Sequence, residues 1–184
     1  AHNLEAVLAP TVHPMAEGIA LEGMRLVKEY LPRAVRNGED IDARLQMLVA
    51  SSMGATAFQR GLGAIHAVSH SVGALYDSHH GLLNAIMMPY VLQMNRPAIE
   101  AEAARAARYL GLPHTDFNGL LDWVLDLRAE LELPHTLAEI GVDDSRADLI
   151  GEMSVKDVTS RTNARQLDAG EYRQLFLNAL TGKL

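Results

Sequence analysis

Apolar residues recur along most of the chain three or four positions apart, the spacing that places side chains on one face of an α-helix. The alternation of apolar and polar residues that marks a half-buried strand is almost absent, and aromatic residues are few. We find no internal repeat and no flexible linker. The pattern predicts a single all-α domain over residues 1–184, a bundle of roughly eight to ten helices.

Local signals place the ends of several helices. Residues suited to a first helical turn or to an N-cap predict starts at Pro14, Asp40, Asp116 and Asp168. The apolar segment that begins at Leu82 predicts a central helix, which Asn95-Arg96-Pro97 is expected to end. Residues 155–167 show no clear period, so we expect a loop there.

Half of the histidines lie in one stretch, between Gly61 and Pro89: His66, His70, His79 and His80. Two of these, His66 and His70, are four residues apart and therefore share a helix face. On an unbroken helix His80 would lie ~21 Å from His66. The sequence Tyr76-Asp77-Ser78 predicts a break, and a chain that reverses there can bring His80 back beside His66.

Two interpretations of these histidines remain open. Imidazoles from two helices that meet across a turn can bind a metal ion, at ~2.0–2.1 Å. Alternatively, the histidines act separately, some as helix caps and some as hydrogen-bonded core residues. No short motif such as H-E-x-x-H is present to choose between the two.

Composition narrows the classes of function. The formal net charge is −7, without a basic stripe, which argues against a nucleic-acid partner and against a membrane surface. No apolar run reaches the ~18–20 residues that a membrane span needs. The absence of cysteine excludes disulfides and thiolate metal sites, and we expect a cytoplasmic protein.

The first residues also suggest that more chain precedes them. The segment His2-Asn3-Leu4-Glu5 has the texture of a helix interior, yet no N-cap residue stands before it. We therefore expect that an amino-terminal portion is missing from this sequence.

Four segments together resemble one enzyme family. They are His2-x-x-Glu5, the stretch Gly63–His70 (GAIHAVSH), His80–Ala85 (HGLLNA) followed by Pro89, and Thr162–Arg165 (TNAR). The chain resembles the carboxy-terminal helical domain of the metal-dependent (iron-containing, group III) alcohol dehydrogenases, over essentially its whole length. The last segment is the weakest match, because the family usually has Asn-Pro-Arg where this chain has Asn163-Ala164-Arg165.

The resemblance implies a dehydroquinate synthase-like helical domain with one metal site. The family holds one divalent metal, usually Fe²⁺ and sometimes Zn²⁺, with an aspartate and three histidines. The three histidines correspond to His2, His66 and His80. The aspartate would stand four residues before His2, upstream of Ala1, so metal binding by these residues alone is expected to be weaker.

Two further residues receive candidate roles, and a third receives none. His70 corresponds to a histidine near the nicotinamide and the substrate, which makes it the candidate catalytic and cofactor-binding residue. Glu5 is a candidate hydrogen-bond partner for a ligand histidine, and the alternative is a surface glutamate of a helix. His79 has no fixed counterpart in the family.

The implied activity is that of an NAD(P)-dependent alcohol dehydrogenase or aldehyde reductase acting on a small alcohol or aldehyde. Such an enzyme needs an amino-terminal α/β nucleotide-binding domain, for which these residues supply no glycine-rich loop, so the isolated chain should be inactive. Within the class, a zinc polyol dehydrogenase of glycerol type is an alternative. Outside it, the alternatives are a non-catalytic metal-binding helical module and a structural or regulatory helical domain without metal.

We also expect an exposed apolar face where the missing domain would dock. The chain is therefore expected to self-associate as a homo-oligomer, or to dock onto another chain. The surface involved should be the side that holds His2, His66 and His80.

Overall fold

A computed structural model describes residues 1–184 and contains eight α-helices, three short 3₁₀ turns and no strand. The helices are α1 His2–Leu8, α2 Pro14–Arg36, α3 Ile41–Ala57, α4 Ala64–Tyr76, α5 His80–Tyr109, α6 Phe117–Glu130, α7 Ala147–Lys156 and α8 Ala169–Thr181. The 3₁₀ turns are Phe58–Arg60, Ala138–Ile140 and Val158–Thr162. The all-α prediction is confirmed, with the helix number at the lower end of the expected range.

Four predicted helix starts are confirmed by their capping geometry. Pro14 occupies the first turn of α2. The three aspartates each accept a hydrogen bond from a backbone N–H three residues on: Asp40 from Ala43, Asp116 from Gly119 and Asp168 from Glu171. At α8 the Glu171 carboxylate also accepts from the Asp168 N–H, which completes a capping box.

The predicted end at Asn95-Arg96-Pro97 is wrong, because α5 continues through Pro97 to Tyr109. A proline inside a helix removes the hydrogen bond to the carbonyl four residues earlier, and its ring crowds that carbonyl. Buried side chains on both sides of the proline hold the helix in place: Leu92 and Ile99 are in the core, and Asn95 is tied to the distant Asn163. Tertiary packing therefore outweighs the helix-breaking effect of Pro97.

The loop predicted for residues 155–167 is wrong in part. The helix α7 extends to Lys156, and a 3₁₀ turn covers Val158–Thr162. Asp157 starts that turn, since its carboxylate accepts hydrogen bonds from the N–H and the hydroxyl of Thr159. Only the residues after Thr162 follow an irregular path to α8.

The short helix α1 and the pair α4–α5 position the histidines. Every residue of α1 from Asn3 to Leu8 is buried, and the helix packs against α2, α3 and α5. Asp77 has a left-handed backbone, with φ 51°, and ends α4. The chain then reverses, as the break at Tyr76-Asp77-Ser78 predicted, and α5 begins at His80 beside α4.

The core is a single cluster of 38 buried apolar residues. The middle of α4 and the first half of α5 contribute fully buried side chains to it, among them Ile65, Val68, Leu83 and Met87. None of the helices is long and apolar enough at once to cross a membrane.

Candidate metal centre

Four of the predicted site histidines come together. The ring centroids of His2 and His66 are 4.8 Å apart, and those of His66 and His80 are 5.3 Å apart. The ring of His70 lies 5.2 Å from that of His80 and 5.8 Å from that of His66. Residues from α1, α4 and α5 therefore form one histidine cluster, composed of His2, His66, His70 and His80.

His79 does not belong to the cluster. Its Nδ1 accepts a hydrogen bond of 3.3 Å from the Leu82 N–H and caps the start of α5. The interpretation of a histidine as a helix cap is therefore confirmed for this residue.

The most buried member, His66, is oriented by Glu5. One carboxylate oxygen of Glu5 lies 2.5 Å from His66 Nδ1, and the other accepts from the Ile65 N–H at 2.8 Å. His66 is 1% exposed and Glu5 5% exposed. Because a carboxylate accepts at Nδ1, that nitrogen carries the hydrogen and Nε2 keeps a free lone pair, as a metal ligand requires.

Asn84 connects the two helices of the cluster. Its Nδ2 lies 3.3 Å from His66 Nε2 and 3.1 Å from His80 Nε2, so both lone pairs face the same amide group. The amide oxygen of Asn84 is buried and has no hydrogen-bond partner. Two imidazole lone pairs that converge on one N–H donor group, beside an unpartnered oxygen, are a donor set that suits a divalent cation.

The protonation states of His2 and His80 also fit a metal site. Burial lowers the pKa of His2 to about 4, and the neighbouring His66 adds to the effect. Burial also lowers the pKa of His80 below its ordinary value, again with a contribution from His66. Both side chains are therefore neutral at neutral pH, which is the form in which imidazole binds metals.

The side chains of the histidine cluster do not converge on one point. The rings of His2 and His66 are stacked, with an angle of 10° between their planes. No group of three or more His, Asp or Glu side chains is positioned to hold a metal ion together. The lone pair of an imidazole lies in its ring plane. The ring of His2 must therefore rotate before His2 and His66 can bind the same metal ion.

His70 is paired with an acidic residue that the sequence did not single out. Its Nδ1 lies 2.9 Å from Asp157 Oδ2, and its side chain is 41% exposed. Burial raises the pKa of Asp157, but hydrogen bonds from Thr159 and His70 outweigh burial and hold that pKa below its ordinary value. Asp157 is therefore a carboxylate that fixes the orientation of the His70 ring. The pattern Asp157-x-Thr159 is typical of a capped turn, and it was the only local signal in the sequence that could have drawn attention to Asp157.

The weakest part of the resemblance, Thr162–Arg165, proves to support the site. Asn163 is buried, and its amide oxygen accepts from the Ala64 N–H at 3.0 Å, at the start of α4. The same residue exchanges hydrogen bonds with Asn95 on α5. A Cβ at Gly63 would lie 2.7 Å from the Asn163 amide oxygen, which explains why a glycine precedes α4.

A cavity of about 400 Å³ opens beside the cluster. His2, His80 and Asn84 form part of its wall, together with Arg128. The rest of the lining is mostly apolar and includes Met24, Val27, Leu31, Trp123, Leu127 and Leu131. A small organic molecule in this cavity would therefore contact both the histidines and an apolar surface.

The sequence profile described as Fe-containing alcohol dehydrogenase family, C-terminal, matches residues 1–180. This chain belongs to that family. The matched range includes all four segments, from His2 to Arg165, on which the resemblance was based.

Individual relatives agree with the family assignment. The 4-hydroxybutyrate dehydrogenase of Cupriavidus necator is 39% identical over 96% of this chain and 48% of its own length. The NAD-dependent methanol dehydrogenase of Bacillus methanolicus is 35% identical over 97% of this chain and 49% of its own length. The chain thus spans about half the length of the curated relatives that it matches.

Solved structures show the same helical fold. A 1,3-propanediol oxidoreductase superposes with a TM-score of 0.93 at 28% identity, covering 97% of this chain and 49% of its own. The iron-containing alcohol dehydrogenase of Thermococcus thioreducens gives a TM-score of 0.90 at 28% identity, covering 98% and 48%. The all-α bundle is therefore the C-terminal domain fold of this family.

Proposed function

We propose that residues 1–184 form the metal-binding domain of an NAD(P)-dependent alcohol dehydrogenase or aldehyde reductase. The observation that carries the proposal is the pair of Nε2 atoms, from His66 and His80, that face one amide group on Asn84. With His2 stacked on His66, these are the three side chains that would hold Fe²⁺, or alternatively Zn²⁺. When bound, the metal would supply a Lewis acid for the substrate oxygen.

The residues of this chain would divide the remaining tasks. Glu5 holds His66 in the tautomer that offers Nε2. The apolar wall beside His2 and His80 would exclude water from the carbon that exchanges hydride. His70, held by Asp157 and partly exposed, would take the hydroxyl proton during oxidation and pass it to water.

The names of the relatives indicate the general class of substrate. Their names refer to methanol, 1,3-propanediol and 4-hydroxybutyrate, which all carry a primary hydroxyl group. We therefore place a small primary alcohol, or the corresponding aldehyde, in the cavity. Hydride would pass to or from a nicotinamide held by the other half of a full-length chain, while residues 1–184 position the substrate.

The experiment is a comparison of metal content and turnover in the full-length protein. Wild type, H66A and H80A are loaded with Fe²⁺ without oxygen, and alcohol-dependent NAD(P)H formation is measured. We expect each variant to lose bound iron and to lose on the order of 100-fold in kcat/KM. The control is H114A, because His114 is an exposed histidine whose ring makes no hydrogen bond. Turnover that persists after removal of the metal would refute the proposal.

A further inference from the structure

The chain contains two Asn-Gly pairs, and the structure holds them in different ways. Asn37-Gly38 leads from the end of α2 into the turn before α3, whereas Asn118-Gly119 lies in the first turn of α6. Both asparagine side chains are exposed. In such a pair the glycine backbone nitrogen can attack the side-chain carbonyl carbon of the asparagine, because glycine has no Cβ to hinder the approach. The two pairs therefore have the same chemistry in two settings.

The second pair is held in helical geometry. The Gly119 N–H donates to Asp116 Oδ1 at 2.9 Å, as part of the N-cap of α6. A Cβ at Gly119 would lie 1.8 Å from the carbonyl oxygen of His114, so the backbone is closely packed there. Before it could attack, the Gly119 nitrogen would have to leave its cap and the first turn of α6 would have to unwind. This setting protects Asn118.

The first pair has the freedom that the second lacks. Asn37 ends α2 with an extended backbone, φ −139° and ψ 96°, and Gly38 lies outside both helices. No group within residues 1–184 accepts a hydrogen bond from the Gly38 N–H. The space that a Cβ at Gly38 would occupy has no contact within 4 Å. Rotation of the Asn37 backbone can therefore bring the two reacting atoms together without unwinding a helix.

A neighbouring N–H also favours the reaction at Asn37. The Glu39 N–H donates to the Asn37 side-chain oxygen at 3.1 Å. Attack at the carbonyl carbon places negative charge on that oxygen, and a donor that already points at the oxygen stabilises the charge. The turn therefore polarises the carbonyl group that the Gly38 nitrogen attacks.

We propose that Asn37 is a site of spontaneous deamidation, whereas Asn118 is not. The Gly38 nitrogen gives its proton to hydroxide and bonds to the side-chain carbonyl carbon of Asn37. The bond from this carbon to Nδ2 breaks, and the amide nitrogen leaves as ammonia. Water then opens the resulting five-membered imide at either carbonyl, which yields aspartate or isoaspartate at position 37. The net reaction consumes one water, releases one ammonia and adds one negative charge.

Both products would alter the connection between α2 and α3. The new carboxylate would lie at the C-terminal end of α2, where the helix dipole disfavours negative charge, and close in sequence to Glu39 and Asp40. Isoaspartate also lengthens the main chain by one carbon, which displaces the Gly38 carbonyl from Arg44 Nη1, its donor at 2.8 Å. The modified protein, separated by anion exchange through its added charge, should therefore unfold at a lower urea concentration than the unmodified protein.

The first test follows both asparagines in the full-length protein. The protein is kept at mildly alkaline pH, and mass spectrometry of its peptides measures the conversion of each amide to an acid over time. We expect Asn37 to react at least ~10-fold faster than Asn118, because Asn118 can react only after the cap of α6 is lost. The Asn37 rate should rise with pH, since hydroxide removes the proton of the attacking nitrogen. Equal rates at the two sites, or a faster reaction at Asn118, would overturn the proposal.

Two variants test the physical reasons for the difference. G38A places a methyl group beside the attacking nitrogen and should slow the reaction at Asn37 alone. The fold should persist in this variant, because Gly38 has open space around it and does not have a positive φ. D116A removes the acceptor of the Gly119 N–H and should accelerate the reaction at Asn118 alone.

Urea unfolding establishes that each variant is folded before the rates are compared. An Asn37 rate that G38A leaves unchanged would overturn attack by the Gly38 nitrogen. An Asn118 rate that stays unchanged in folded D116A would overturn protection by the cap of α6.

Discussion

Glu5 is the residue on which the orientation of His66 depends. Its two carboxylate oxygens accept from the Ile65 N–H and from His66 Nδ1. In E5Q only one oxygen remains, so one of these two donors loses its acceptor. We expect metal affinity to fall ~10–100-fold in the full-length protein, measured by competition with a chelator. The control is E152Q, at an exposed glutamate without a partner, and an E5Q affinity equal to wild type would contradict the role of Glu5.

Tyr172 makes stability sensitive to alkaline pH. Its side chain is fully buried and its hydroxyl donates to Ser160 Oγ at 2.8 Å. Burial raises the pKa of Tyr172 from an ordinary value of 10.0 to about 12. The unfolded chain therefore loses this proton first, so the contribution of Tyr172 is complete below pH 10.0 and is lost as the pH approaches about 12.

The corresponding measurement is urea unfolding at several alkaline pH values. Between pH 10.0 and about 12, the free energy of unfolding should fall by up to ~1.4 kcal/mol per pH unit. Y172F should remove this component of the slope, because phenylalanine has no proton to lose. An identical slope in wild type and Y172F would show that Tyr172 is not the titrating group.

At the scale of elements, Asn163 fixes the start of α4 against α5. Its amide group bonds to the Ala64 N–H, to Asn95 and to the Arg165 carbonyl, all in a buried setting. N163A leaves these groups unpaired, so we expect a loss of ~2–4 kcal/mol in the free energy of unfolding. Urea unfolding of N163A is compared with N118A, at an exposed asparagine that makes no side-chain hydrogen bond. A loss no larger than that of N118A would contradict this account.

The elements that the sequence predicted correctly are those with local determinants. Asp40, Asp116 and Asp168 cap helices through bonds to residues three positions on, and the break before His80 depends on neighbouring residues. The continuation of α5 past Pro97 depends instead on Asn163, 68 residues from Asn95. Propensity over a short window cannot detect support of that kind.

The same division applies to the site. From the spacing of four residues and the chain reversal, the sequence predicted that His66, His70 and His80 lie close together. The structure confirms that their rings are neighbours. Asp157 was missed because it meets His70 across 87 positions. The choice of His2, His66 and His80 as metal ligands stays a prediction.

At the scale of the whole molecule, an exposed apolar stripe lies on α3. Ile41, Leu45, Leu48 and Val49 follow the spacing of one helix face, and each is at least 40% exposed. The sequence predicted self-association through the side that holds His2, His66 and His80, and this stripe is a second surface of the kind that associates. We expect residues 1–184, prepared alone, to self-associate through the stripe as well. Sedimentation velocity should show the double variant L48E/V49E as a smaller species than wild type. The control is V158E, at an exposed valine outside α3, and a monomeric wild type at high concentration would contradict the expectation.

The most direct test of the metal centre is anomalous diffraction from crystals of the full-length protein loaded with Fe²⁺. We predict one strong peak within bonding distance, about 2 Å, of ring nitrogens of His2, His66 and His80. The ring of His2 should have rotated out of its stack on His66. A peak elsewhere, or none within the cluster after loading, would contradict the assignment of these three histidines as the metal ligands.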